Sequence, residues 1–233
     1  MLPPNPDHRK GIDFATFEDQ LRNHDGSGFV LADSGNDQNR ILVFGSQTNL
    51  TYIAEPTEWY MDGTFWAVPH LYSQLFSIHA FILGQLFPLV YTLLPDKSEV
   101  TCRRMFTMIM DRMVAHGLYP NQFRLQRIIS DFEISLINAV HDMFPTAFHQ
   151  GCYFHYSQAI YRKIAEMGFS VRYKNDEEFK LRRRHLIALG LIPTHLKFQY
   201  LQVLQQAFID DADFSSLIAQ YFIPTLFGRP PGG

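Results

Sequence analysis

Two aspartates carry the chemistry that this sequence could do. Asp62 lies in "WYMDGTFWAVP", residues 59–69, within a run of aromatic and aliphatic residues. Asp131 stands near the end of "LQRIISDFE", residues 125–133. A carboxylate in apolar surroundings needs a partner, a proton or a metal ion to offset its lost hydration. The nearest basic residue is Arg127, four positions before Asp131. Two carboxylates brought side by side repel unless something cationic lies between them. A pair of divalent ions about 4 Å apart would satisfy them, and such sites hold attacking and leaving oxygens in phosphoryl transfer. Hard oxygen ligands suit Mg2+ or Mn2+. Gly63 would let a backbone or a substrate approach closely. The residues alone also allow a plainer reading, in which Asp62 accepts hydrogen bonds in a turn.

Other groups offer less. Cys152 and His155, in "GCYFH", have a spacing seen in zinc sites. Two ligands do not make such a site. His149 could supply a third and Cys102 a remote fourth, so Zn2+ is the less favoured ion. The alternative is a small core cysteine and a histidine bonded locally. Glu133 follows Asp131 by two and would share its side on a strand, or serve as a first-turn helix acid. The stretch "KLRRRH" offers Lys180, Arg182, Arg183 and Arg184. With Arg172 and Lys174 they could track DNA phosphates, or form a solvated helix face. Tyr161, Tyr173 and Phe179 fall at core-facing spacings. His79 and His141 have no partner in sequence and read as structural, and Met105, Met108, Met110 and Met113 as core filler.

The two aspartates are 69 residues apart, so the fold must join them. Apolar runs predict strands over 58–67, 72–83 and 86–94, whose short connections imply antiparallel pairing. The period then changes. Met105, Ile109 and Met113 recur every four residues and predict a helix from a Ser98 cap to Gly117. Residues 125–133 read as a buried parallel strand, "ISLINAVHDMFP" as a helix stopped by Pro145, and "AFHQGCYFHY" as a fifth strand and turn. A helical crossover lets the fourth strand lie parallel beside the first, which would make Asp62 and Asp131 neighbours. Ahead of these, "GFVLAD" and "RILVFGS" read as short strands and "SQTNLTYIAEP" as a short helix. From Ser157 to Phe222 the pattern is helical, with breaks at Gly168, Gly190, Pro193 and 210–213. The expected fold class is α/β, a mixed five-stranded sheet flanked by helices with an all-helical region after it. The expected divisions are a loosely ordered lead-in over 1–39, a core over 40–158, helices over 159–222 and an unordered tail over 223–233.

Bulk properties narrow the class. The chain has 233 residues, 46% of them hydrophobic, and a net charge of −3. Residues 160–200 carry a net +5 against −8 for the rest, which permits a local basic face on an acidic body. Two cysteines make no disulfide framework and fit a reducing compartment. The first residues lack the apolar region of a signal peptide. The most apolar stretch, 81–95, is too short and too interrupted to span a bilayer. An intracellular protein without a membrane role is expected.

Four motifs, in order, carry a family resemblance: "WYMDGTFWAVPHLYSQLFSIHA", "PLVYTLLPDKSEVTCRRMF", "IISDFEISLINAV" and "FHQGCYFHYSQAIYRKI". Together they resemble the transposase domain of Mutator-like elements (MULEs), from about Arg40 to about Phe222. The resemblance implies a ribonuclease-H-like core with an Asp-Asp-Glu (DDE) triad, Mg2+ or Mn2+ as cofactor, DNA as partner and substrate, assembly as a homodimer, and a nuclear location. It makes Asp62 the first and Asp131 the second acid of the triad, and matches Cys152 and His155 to the family's Cys-x-x-His pair, which orients the site or the DNA. The family's third acid belongs to an Asn-Asn-x-Glu motif, and no such motif occurs in the 233 residues. The expectation is therefore a transposase core lacking its last acid. The alternative is a transposase-derived domain that binds DNA or protein without cutting. The family's N-terminal zinc module is not expected either, since residues 1–39 hold no cysteine.

Overall fold

A computed structural model describes residues 7–14, 21–35 and 37–227. The chain divides into two compact units, 1–150 and 151–233. The first is built on a mixed sheet. Its strands are β1 (Val30–Asp33), β2 (Leu42–Phe44), β3 (Glu58–Thr64), β4 (Gln74–Ile82), β5 (Gln85–Leu94), β6 (Arg127–Ser130) and β7 (Phe148–Gly151). They lie in the order β1-β2-β5-β4-β3-β6-β7. The sheet thus has seven strands where five were expected, because the short runs ahead of the core pair antiparallel onto β5. Buried Arg40 secures this addition through an ion pair with Asp33 at 2.6 Å.

β3, β4 and β5 form the expected antiparallel meander. β6 returns parallel to β3, with Glu58 opposite Arg127, Trp59 opposite Ile128 and Tyr60 opposite Ile129. Three helices belong to this unit: α1 (Gln47–Ala54), α2 (Glu99–Ala115) and α3 (Ile134–Met143). Ser46 and Ser98 cap the first two by accepting backbone N–H bonds from Asn49 and Thr101. α2 buries Cys102, Met105, Phe106, Ile109 and Met113, the four-residue stripe read from the sequence. These residues share one core with Trp59, Met61, Phe76, Ile78, Val90 and Ile128 of the sheet. The Trp59 indole donates to the Ile53 carbonyl at 2.8 Å and meets the Phe144 ring edge-on at 5.3 Å.

Two local features set the sheet's geometry. β4 and β5 turn through two residues, Leu83 and Gly84, both with positive φ (50° and 79°). That is the mirror-image turn whose twist suits a hairpin. Beside Pro88, which has no N–H to give, the ladder skips one residue, Leu89. The Leu89 carbonyl instead accepts from Asn49 Nδ2 at 2.8 Å.

The second unit is helical: α4 (Tyr153–Glu166), α5 (Ser170–Asn175), α6 (Glu177–Ala188), α7 (Lys197–Ala207) and α8 (Ala212–Leu217), then a π-helical segment, Ile218–Phe227. Its core gathers Ile160, Ile164, Phe179, Leu186, Phe214 and Phe222. The final segment takes in residues 223–227 of the expected unordered tail. Tyr221, Ile223 and Leu226 pack against the core there, with Pro224 inside the turn. The remainder of that tail lies outside the described residues, as do residues 1–6 and 15–20 of the lead-in. No helix among the described residues is long and apolar enough to cross a membrane.

Candidate functional site

Alternation along β3 sends Trp59 and Met61 into the core and leaves Asp62 exposed on the other face. Along β6, Ile128 enters the same core, opposite Trp59. Carrying the parallel register two residues past Tyr60 and Ile129 would set Asp62 level with Asp131, which lies one residue past the end of β6. Neighbouring strands run about 4.8 Å apart. The spacing suits two carboxylates sharing a cation.

Each aspartate is held by its surroundings. Across the strand pair from Asp62 stands Ser77, whose Oγ donates to the Asp62 carbonyl at 3.3 Å. Ser77 Oγ also meets His79 Nε2 at 2.8 Å. Burial pushes the His79 imidazole below its ordinary range, against the pull of the Asp62 charge. Behind them, Gly63 makes room for buried Gln74, whose amide occupies the space that a Cβ would take. So the glycine admits a side chain of the protein's own, not a substrate.

Asp131 lies just past the end of β6. Its Oδ1 accepts from the Glu133 backbone at 3.2 Å, the short turn that starts α3. The preceding Ser130 is fully buried. Its hydroxyl donates to the Asp131 carbonyl at 3.0 Å and meets His149 Nε2 at 2.8 Å. Burial and the neighbouring His141 push the His149 imidazole down, against the Asp131 charge. Burial pushes Glu133 up, Lys97 opposes this, and the Asp131 charge adds to the rise. Cys102 is pushed up to about 12 by burial and by the charges of Glu133, Asp96, Asp131 and Glu99. Acid therefore collects where β6 leaves the sheet. Lys97 answers one member, at 3.7 Å from Glu133.

The other sequence candidates sit elsewhere. Cys152 is the N-cap residue of α4 and keeps a free thiol, and His155 lies in that helix's first turn, half-buried. Both belong to the second unit. Cys102 is buried in the first unit's core. Among the described residues, no three His, Cys, Asp or Glu side chains gather so as to hold a metal ion. The basic run lies on α6. Lys180 pairs with Glu177, and Arg182 with both Glu178 and Asp211. Arg183 reaches Ser157 Oγ at 3.2 Å and lies over the Tyr161 and Tyr173 rings. Arg184 is exposed and makes no ion pair among the described residues.

Sequence reasoning missed the roles of five residues. His79 and Ser77 are two apart on one strand, a spacing that does signal a shared face. Ser130 and His149 come from different strands, and no local pattern joins them. Trp66 was read as part of a strand over 58–67, but β3 ends at Thr64 and Trp66 stands 99% exposed on the turn that follows.

Residues 58–159, from the first residue of β3 into α4, match the MULE transposase domain family. Over those residues the chain is similar to a MULE transposase domain. The match spans a little under half of the chain and is narrower than the stretch from 40 to 222 suggested by the motifs. It takes in Asp62 and Asp131, as well as Cys152 and His155. No curated protein matches the chain significantly. That family implies a transposition-related function and interaction with DNA, and it generally depends on a divalent metal.

Proposed function

We propose that this domain is the ribonuclease-H-like core of a transposase of the DDE type, and that Asp62 and Asp131 hold Mg2+ or Mn2+ for DNA strand cleavage and transfer. One observation carries the reading. Asp62 on β3 and Asp131, one residue past the end of β6, follow one parallel register, and both match the family's motif. The meander followed by a parallel fourth strand is the arrangement that such a core requires. The donor set fits in part: two hard oxygen ligands suit either ion, and no group of three His, Cys, Asp or Glu that could hold a metal ion occurs among the described residues.

When bound, the ion supplies positive charge that activates the attacking oxygen and offsets the charge of the phosphodiester. The chain's own residues do the rest. Ser77 ties the Asp62 backbone to β4, and Ser130 with His149 fixes the strand end that presents Asp131. Of the basic run, Arg184 is best placed to meet DNA phosphate, since its neighbours are engaged within the unit. Cys152 and His155, at the start of α4, would act on the DNA as the family's Cys-x-x-His pair. Nuclear location and a homodimeric state accompany the reading.

Thermal melting against Mn2+ tests it. Wild-type chain should melt at rising temperature as Mn2+ is added, and Asp62→Asn or Asp131→Asn should abolish the rise. A flat wild-type curve would overturn the metal-centre reading. DNA binding that survived Asp62→Asn and weakened on Arg184→Ala would then favour a transposase-derived domain that binds DNA without cutting.

A further inference from the structure

Three exposed aromatic rings, Phe65, Trp66 and Phe132, follow the two candidate carboxylates, and grouped exposed apolar side chains mark binding sites. Trp66 stands in the turn after β3, four residues past Asp62, and is 99% exposed. At most about 14 Å of chain separates the two. The preceding residue anchors the turn. Lys97 Nζ lies 3.6 Å from the centre of the Phe65 ring, while the same ammonium reaches Glu133 Oε1 at 3.7 Å. Lys97 thereby links the loop after β3 to the loop after β6. On the β6 side, Phe132 directly follows Asp131 and is 40% exposed. Aromatic rings thus follow both carboxylates, with one cation between the loops.

We infer that Trp66 is a stacking residue for a nucleobase next to the phosphodiester at Asp62 and Asp131, so that this site takes DNA whose bases are locally unpaired. The inference rests on the proposed reading of the acid pair and deepens it by naming the form of the substrate. In an intact duplex each base face is covered by its neighbours, and a protein ring can stack only where a base is terminal, unpaired or swung out. Any base offers a π face, so the contact selects DNA form, not sequence. Lys97 adds charge for the adjoining phosphate. The Phe65–Lys97–Glu133 contacts hold the turn before the ligand arrives, which lowers the ordering cost of binding.

The chain's other tryptophan, Trp59, is 1% exposed, so a change of indole emission on adding DNA reports Trp66. The experiment uses the full chain with fluorescein-labelled oligonucleotides: single-stranded dT, a gapped duplex and a fully paired duplex. Anisotropy reads binding and indole emission reads stacking. Single-stranded and gapped DNA should quench emission. Trp66→Ala should weaken both by about tenfold or more, with little change for paired duplex, and Trp66→Phe should restore most of the loss. Unaltered emission at saturating single-stranded DNA overturns the inference, as does an equal loss by Trp66→Ala on all three probes. Plasmid nicking by wild type and Trp66→Ala separates the two readings. Equal nicking sinks the stacking role and leaves the acid pair standing. Normal Trp66 quenching without nicking sinks the catalytic reading and leaves the stacking role. Failure of every form to bind DNA sinks both.

Discussion

Asp62 and Asp211 mark the contrast between the two units. Asp211, at the N-cap of α8, has a side chain only 2% exposed, and both Arg172 and Arg182 close on it. Burial alone would raise its carboxyl, but the bonds from Arg172 and the Phe214 N–H hold it below the ordinary range. Arg172 also pairs with Asp176 and Asp213. Asp62 is exposed, on a strand whose immediate neighbours are a hydroxyl and an imidazole. An acid enclosed by fixed cations serves the fold. Asp62 instead sits out on a sheet face, where solvent reaches it.

Substitutions should separate these roles. The largest effect expected is for Asp211→Asn, which strips two arginines of their shared partner and should cost roughly 3 kcal/mol in urea unfolding. Asp62→Asn, without metal, should stay within about 0.5 kcal/mol of wild type. Similar losses for both would break the contrast. A smaller effect is expected at the hairpin. Leu83 holds a positive φ that glycine adopts without cost, and Leu83→Gly should stabilise the chain by about 1 kcal/mol. If it destabilised, the tip would be making contacts of its own.

The smallest effect concerns pH. His79 and His149 have folded pKa values below the ordinary 6.5. Between those depressed values and 6.5 the unfolded chain binds more protons than the folded one. Stability should therefore fall as pH drops through 6.5, and level off for these groups below their folded values. The fall should be shallower in His149→Gln, measured as melting temperature between pH 7.5 and 5.5. A pH-independent melting temperature in the wild type would remove the histidines from the first unit's account.

The sheet's central logic was legible because it follows from short connections and a change of period. Antiparallel neighbours, a four-residue helical stripe and a parallel return are local patterns, and together they set β6 beside β3. What escaped depended on distance or on a small shift of boundary. Arg182 read as a free cation because Asp211 lies 29 residues on, beyond any local pattern. Trp66 read as core because β3 was carried three residues too far, and that excess decides whether its ring is inside or out. The π-helical end was missed for another reason. Pro224 and the glycines after it signal a break, but the apolar side chains around them pack strongly enough to keep the segment wound. β2 was read as a strand, but its place at the β5 edge is a tertiary choice without a sequence signature.

The skipped residue at Leu89 has a consequence for the opposite face of the sheet. Its carbonyl is caught by Asn49, which holds the bulge open where pairing resumes with His79 opposite Pro88. A slip of β4 by one place would turn Ser77 and His79 inward and swing Phe76 and Ile78 out into water. The bulge on β5 thus marks the register that keeps the hydroxyl and the imidazole in phase with the aspartate one strand away.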